Sequence, residues 1–391
     1  MSDNWSKYRL DEIAKLSMGQ SPQSKFYNTD GDGLPFFQGK TEFGEYYPSV
    51  RQFTSKTTKK AVEGDVLFTV RAPVGELNIA NQDCCIGRGL AAIQAKNENE
   101  NRFLYYILKV NTELFLSRSS GAVYDAISGG DLKSSEIFIP NNSQERIKIA
   151  KILANYDDLI ENNLKRIKLL EESARLTYEE WFLRFRIDGK KLDIDPDTGL
   201  PFGWEKVKLK SFCILTMGQS PKSEFYNQTC EGLPFHQGVT NYGFRFPSNT
   251  TWSTEGSRIS EEGDILFSVR APVGRLNVSI EKIILGRGLA SIRQINDLNS
   301  FLFYQLQNIF FEDNLMGSGA IFDSVTKRDV EDIELIYSKN ISEKFNTLTS
   351  TIDNEIKNLT NQNKFLKEAR DILLPRLMTG MIDTDNMDIA V

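Results

Sequence analysis

GDVLFTVRAPVGELN, residues Gly64 to Asn78, returns almost unchanged as GDILFSVRAPVGRLN, residues Gly263 to Asn277, 199 positions further along the chain. The same offset joins Trp5 to Trp204, MGQSP at Met18 to Met217, GLPFFQG at Gly33 to GLPFHQG at Gly232, and IGRGLAAI at Ile86 to LGRGLASI at Leu285. One residue is lost later, where SGAVYDAIS at Ser120 meets SGAIFDSVT at Ser318. A period of about 20 to 50 residues would mean a solenoid, but one this long means two whole domains of one fold, each large enough to bury its own core. Function is therefore expected from two equivalent sites. Short apolar segments broken by Gly and Pro, such as VLFTV at Val66 and ILFSV at Ile265, read as strands. The longer apolar stretches Arg102 to Arg118 and Ser300 to Asn314 read as helices, so each copy is mixed α and β.

After Pro140 the pattern changes. Ile149, Leu153, Tyr156, Ile160, Asn163, Ile167, Leu170, Ala174, Thr177 and Trp181 follow at alternating spacings of four and three. Phe345, Leu348, Ile352, Ile356, Leu359, Asn363, Leu366, Arg370, Leu373 and Leu377 do the same, with one stutter. Such narrow seams predict two helices of about 40 residues, each about 60 Å long, pairing with each other rather than lying only on their own domains. The fold class expected is α+β. Residues 1–142 form the first domain, 143–186 the first long helix, 187–203 a linker, 204–339 the second domain, 340–380 the second long helix and 381–391 a flexible tail. The repeat demands an internal pseudo-twofold, hence an antiparallel coiled coil, with Asn163 and Asn363 meeting near the middle of the seam to fix its register.

Composition is that of an ordinary soluble chain of 391 residues, 40% hydrophobic and 26% charged, with a net charge of −6. No apolar run approaches a membrane span and MSDNWSKYRL has no signal-peptide core, so a cytoplasmic location is expected. The net charge argues against a uniformly basic nucleic-acid surface. Yet Lys and Arg balance Asp and Glu within each part, 16 against 16 over residues 5–142 and 14 against 16 over 204–339. Local patches can still bind DNA, weakly for this chain alone.

Catalytic equipment is missing. The single histidine, His236, stands where the first copy has Phe37, so no histidine-dependent triad or metal centre exists twice. The four cysteines form no CxxC: Cys84 and Cys85 align with Ile283 and Ile284, Cys213 with Ala14, and Cys230 with Gly31. GRG at Gly87 and Gly286 does not extend to GxGxxG, no GxxxxGK[ST] occurs, and no [NDS]PP[YFW] tetrad is present for holding a flipped base. Asp157 and Asp158 read as a solvated helix face.

What recurs is polar and aromatic groups in Gly- and Pro-containing loops. GQSPQSKFYN at Gly19 offers Gln20, Ser21, Gln23, Lys25 and Tyr27; GQSPKSEFYN at Gly218 offers Gln219, Ser220, Lys222 and Tyr226. Gln38, Lys40, Arg71, Arg88 and Tyr124 in the first copy, with Gln237, Arg270 and Arg287 in the second, complete the candidates for a DNA-binding surface. The chemistry suits base edges: Gln bridges adenine N6 and N7, Arg and Lys reach guanine O6 and N7. The bland alternative for each arginine is an intradomain salt bridge. Lys40 against Val239, Glu42 against Asn241 and Glu45 against Phe244 are the loop differences expected to separate what the copies read.

The layout resembles the specificity subunit of type I restriction-modification enzymes over essentially the whole chain. IPNNSQERIKIAKILANYDDLIENN at Ile139 is similar to the family's strand-to-helix segment IPPLxEQxxIAxxL, departing from it at Asn141, Asn142 and the Ser143-Gln144 pair. LLEESARLTYEEWFLRFR at Leu169, GLPFGWEKVKL at Gly199 and EARDILLPRLMTGMI at Glu368 match its helix end, domain entry and C-terminal helix. The resemblance implies two target-recognition domains reading a bipartite, near-palindromic double-stranded DNA site. It implies no cofactor on this chain, two methyltransferase subunits using S-adenosylmethionine, and restriction subunits using ATP and Mg. The alternatives are a non-enzymatic coiled-coil interaction protein with two identical ligand-binding domains, and a hydrolase with a dispersed site.

Overall fold

The computed structural model describes residues 4–119, 126–310, 324–382 and 384. Tyr124, Asn314 and the tail aspartates Asp383, Asp385 and Asp388 lie outside them. The chain divides into two units, Met1–Lys165 with Leu359–Val391, and Arg166–Asn358. Each long helix, Ser143–Tyr178 and Lys339–Met378, thus contributes a segment to each unit.

In the first unit a four-stranded antiparallel sheet runs in the order Ala14–Met18, Leu90–Ala95, Val66–Thr69, Leu77–Ile79. A five-stranded sheet runs Tyr27–Asn28, Phe53–Thr54, Leu34–Phe37, Cys84–Ile86, Lys60–Ala61, with one parallel pairing between Phe36 and Cys85. The repeated stretch joins two cores. Val66 to Thr69 are all buried, and their period-two alternation sends Val66 and Phe68 into the main core while Leu67 enters a second one with Phe37, Cys84, Ile86 and Leu90. A strand with a core on each face reads as continuously apolar. The second unit repeats this with Ile265 and Phe267 on one side and Leu266 on the other, beside Ile283, Leu285 and Leu289.

The expected helices occur at Asn101–Val110, followed after a break by Thr112–Arg118, and at Asn299–Ile309. They lie against the long helices. In the first unit Tyr106 and Leu104 share a core with Ile149, Leu153, Ile160, Leu374 and Leu377. In the second, Phe301 and Tyr304 share one with Ala174, Tyr178, Phe182 and Phe345. The long helices therefore pair with each other and also carry the domain of each unit.

Within each unit the two helix segments run antiparallel. Asn163 Nδ2 donates to Asn363 Oδ1 at 2.9 Å in the first unit, where Asp157 faces Arg370; in the second, Arg166 faces Glu355 at 2.7 Å and Tyr178 faces Phe345. One seam position differs from the periodic reading. Leu348 is 45% exposed, and Thr349 is buried in its place, its hydroxyl donating to the Phe345 carbonyl. An internally satisfied hydroxyl costs little to bury, which hydrophobic periodicity does not register.

The aspartate pair splits likewise. Asp158 is exposed and pairs with Arg102 at 3.0 Å, but Asp157 is buried. Its carboxylate accepts from Tyr46 and Tyr106, each at 2.5 Å, and from Arg370 at 2.9 Å. A lone charge could not be buried so cheaply; here three donors replace water. Burial and the adjacent carboxylate push both tyrosine hydroxyls far up, so they remain donors. The second unit builds its counterpart differently. Asp353 accepts from Arg245 at 2.5 Å, Tyr304 at 2.9 Å and Ser300 at 2.5 Å. Arg245 occupies the repeat position of Tyr46, so the cation has moved from the helix to the domain loop, where it lies 3.4 Å from the Phe303 ring centroid.

The segment Ile187 to Trp204, read as a linker, is built rather than loose. Arg186–Ile187 pairs with Lys190–Lys191, Ile194 bridges to Pro201, and Ile187, Leu200 and Trp204 are buried in the second unit's core. Three apolar anchors among Asp, Gly and Pro hold it.

Candidate functional site

The repeated loops are stitched together at their glycines. Gly19 N donates to Leu90 O and Gln20 N to Ile86 O, both at 2.9 Å, while Arg88 N donates to Ser21 Oγ at 3.2 Å. A Cβ on Gly19 would sit 2.1 Å from Gly87 O, and one on Gly89 2.3 Å from Gln38 O. The glycines thus let three backbone segments touch one another, which is why the motifs recur. Gly218, Gln219, Ser220 and Arg287 repeat these bonds.

On this floor the first unit carries a cleft of about 680 Å³ lined by Ser21, Gln38, Lys40, Arg71 and Arg88, with Thr69, Pro73 and Gly89 between them. Five sequence candidates are brought together here. The Arg71 backbone is pinned by a bridge to Ala126 and that of Arg270 by one to Ser324, which leaves both side chains exposed. Among the described residues, Arg71, Arg88, Arg270 and Arg287 form no ion pair, so the salt-bridge alternative does not hold there. Lys40 does form one, with Glu76 at 2.5 Å.

Other candidates stand aside from the cleft. Gln20 and Gln23 are exposed, and Lys25 lies 5.1 Å from the Phe26 ring centroid with Lys56, unnoticed in the sequence, 5.4 Å from it. Tyr27 and Tyr226 are half-buried against Phe36 and Phe235, and their hydroxyls donate at 2.9 Å to Pro22 and Pro221 carbonyls, closing the loop on itself. Ser220 Oγ donates to Gln237 Oε1 at 2.7 Å, and Lys222 lies 3.5 Å from Glu224.

Two of the loop differences make contacts within the first unit. Glu42 Oε2 accepts from Gln38 N and Gly39 N at 3.1 Å each, holding the turn that presents Lys40. Glu45 pairs with Lys367 of the long helix at 2.9 Å, beside Tyr46 and Asp157.

His236 is buried, its Nε2 paired with Asn249 Oδ1 at 2.9 Å, and burial lowers its pKa, so it is a neutral core ring. Burial pushes the Cys84 and Cys213 thiols up to about 12, which leaves them unreactive. Among the described residues no His, Cys, Asp and Glu group could hold a metal, and no helix is long and apolar enough to cross a membrane.

Two stretches, residues 2–172 and 201–364, match the family model for the type I restriction modification DNA specificity domain. The chain belongs to this family. It is 31% identical over 299 residues to a protein of Methanocaldococcus jannaschii named as the type I restriction enzyme MjaX specificity subunit, covering 73% of this chain and 69% of the relative. A second protein of that organism, the MjaIX specificity subunit, is 26% identical over 98% of this chain and 95% of its own. The crystal structure of a type I system S subunit from M. genitalium matches with a TM-score of 0.63 at 18% identity, covering 96% of each chain, a likeness of fold. The specificity domain is present twice in this chain, each copy carrying the loops described above.

Proposed function

We propose that this specificity subunit reads a bipartite double-stranded DNA site with the two sets of cleft loops, performs no catalysis itself, and docks two methyltransferase subunits and the restriction subunits in the cytoplasm. The methyltransferases would use S-adenosylmethionine to modify adenine N6, and the restriction subunits ATP and Mg. The observation that carries the reading is the pair of repeated arginines, Arg71 with Arg88 and Arg270 with Arg287, exposed and without carboxylate partners among the described residues. An arginine left unpaired on rigid backbone is preorganised for an anion or for guanine O6 and N7. Net charge of −6 fits a chain that binds DNA firmly only with its partners.

Arg71→Ala combined with Arg270→Ala, assembled with the methyltransferase subunit, tests this by titrating target and non-target duplexes at several salt concentrations. Loss of about 1 to 3 kcal/mol per arginine on the target alone marks base reading, whereas a uniform loss with a salt slope reduced by about one per residue marks phosphate contact. Unchanged binding overturns the assignment.

A further inference from the structure

Beside the cleft, one short stretch of surface changes sign between the copies. Lys25 and Lys56 bring their ammonium groups to 5.1 and 5.4 Å from the Phe26 ring centroid. Both side chains are exposed, and neither has a carboxylate partner among the described residues. The backbone fixes their place: Ser55 N donates to Phe26 O at 3.1 Å, and Thr54 Oγ1 donates to the Lys56 carbonyl at 3.1 Å. The second unit repeats these bonds, Thr254 N donating to Phe225 O at 3.2 Å and Ser253 Oγ to the Glu255 carbonyl at 2.7 Å. Yet the residues there are Glu224 and Glu255, and Lys222, at the position of Gln23, lies 3.5 Å from Glu224. The same backbone bonds thus present two cations in one copy and an excess of negative charge in the other.

We propose that Lys25 and Lys56 clamp a phosphate of the DNA backbone beside the half-site read by the first copy, and that the second copy lacks this contact; the inference rests on the DNA-reading role proposed above. Two ammonium groups at one ring repel each other, and a neutral ring attracts each without cancelling its charge. An anion between them removes the repulsion, and the oxygens of one phosphate accept from both. Lysine suits that task as a compact point charge on a flexible stem. Its position favours DNA as the occupant. Ser21, four residues before Lys25 in the same loop, lines the cleft, and the carbonyl of neighbouring Gln20 accepts from Thr58 Oγ1, two residues beyond Lys56. A duplex seated in the cleft runs its backbone along this edge, where contacts position the DNA without reading its sequence. The cleft arginines are common to both copies and these lysines are not, so the two copies read alike and hold unequally.

The test uses the full chain assembled with its methyltransferase subunit. Lys25→Gln with Lys56→Gln, and in a second complex Glu224→Lys with Glu255→Lys, are titrated with target and non-target duplexes at several salt concentrations. The first pair is expected to make the plot of log affinity against log salt shallower by about two, so that the affinity lost between about 50 and 200 mM salt shrinks by on the order of tenfold. Target and non-target binding should fall together, with methylated adenines mapping to the same sequence. The second pair should steepen the slope. All four side chains are exposed, so both variants keep their fold. An unchanged slope in the complex carrying Lys25→Gln and Lys56→Gln overturns the clamp and leaves the DNA-reading role standing. A change in the methylated sequence makes the lysines base readers, and weaker assembly with the methyltransferase subunit in the absence of DNA makes them a protein contact; either result overturns the clamp. A wild-type complex that binds every duplex alike overturns the base-reading role instead, and the slope still decides the clamp.

Discussion

Glu171 shows how a single residue records the cost of the two-copy design. Its side chain is 17% exposed and lies 3.9 Å from Arg245, whose nearer partner is Asp353 at 2.5 Å. Burial raises the Glu171 pKa from 4.5 to about 7, with Arg245 opposing and Asp353 reinforcing the shift. One guanidinium serves two carboxylates, and the second is disfavoured as an anion. The unfolded chain releases this proton near pH 4.5, so the folded protein binds more protons between there and about pH 7. The associated stability is fully present below the lower value and is lost as pH rises through the upper one. Glu171→Gln is expected to flatten that loss: chemical denaturation at pH 8 should find the variant more stable by on the order of 2 kcal/mol, with the two proteins converging near pH 4.5. Equal pH profiles would show that the carboxyl is ionised at no cost.

At the scale of elements, one helix aspartate in each unit accepts from that unit's domain, Asp157 buried and Asp353 partly buried, each fourteen positions beyond the first residue of its helix. The first is enclosed by Tyr46, Tyr106 and Arg370, so removing the anion leaves two buried hydroxyls without their acceptor and Arg370 with Asp371 as its remaining carboxylate partner. Asp157→Ala should cost about 3 to 5 kcal/mol, against less than about 1 for exposed Asp158→Ala, as measured by denaturant unfolding of the assembled chain. These anchors were not legible in the sequence. Two adjacent acids on a heptad helix read as solvent-facing because periodicity says which stripe is apolar, not which neighbour brings a third surface against the helix. The helices were legible from their seams, and their antiparallel pairing with the meeting of Asn163 and Asn363 from the 199-residue repeat, which demands a pseudo-twofold. The site was legible in part: the exposed arginines follow from loop position, whereas the ion pair of Lys40 with Glu76, 36 residues apart in sequence, carries no periodic signal.

For the whole molecule, the decisive fact remains the repeat. About half the residues from Met18 to Ile93 match their counterparts, and the structure shows that the shared loops make the same backbone bonds and present the same arginines. Readers so alike should recognise alike sequences. A repeat carried on antiparallel helices predicts half-sites on opposite strands, as twofold proteins read twofold operators, so the target should be an interrupted near-palindrome. Because Glu42 and Glu45 serve the scaffold, the departures from symmetry should be few, and each mismatched pair introduced into either half should cost about 1 to 3 kcal/mol. Genome-wide mapping of methylated adenines under this subunit and its methyltransferase measures the symmetry directly. Two half-sites related by inversion at most positions are expected. Unrelated half-sites would move base reading out of the shared cleft and into segments where the copies diverge, such as residues 51–62 against 250–261, and would make the repeated arginines contacts to the sugar-phosphate backbone.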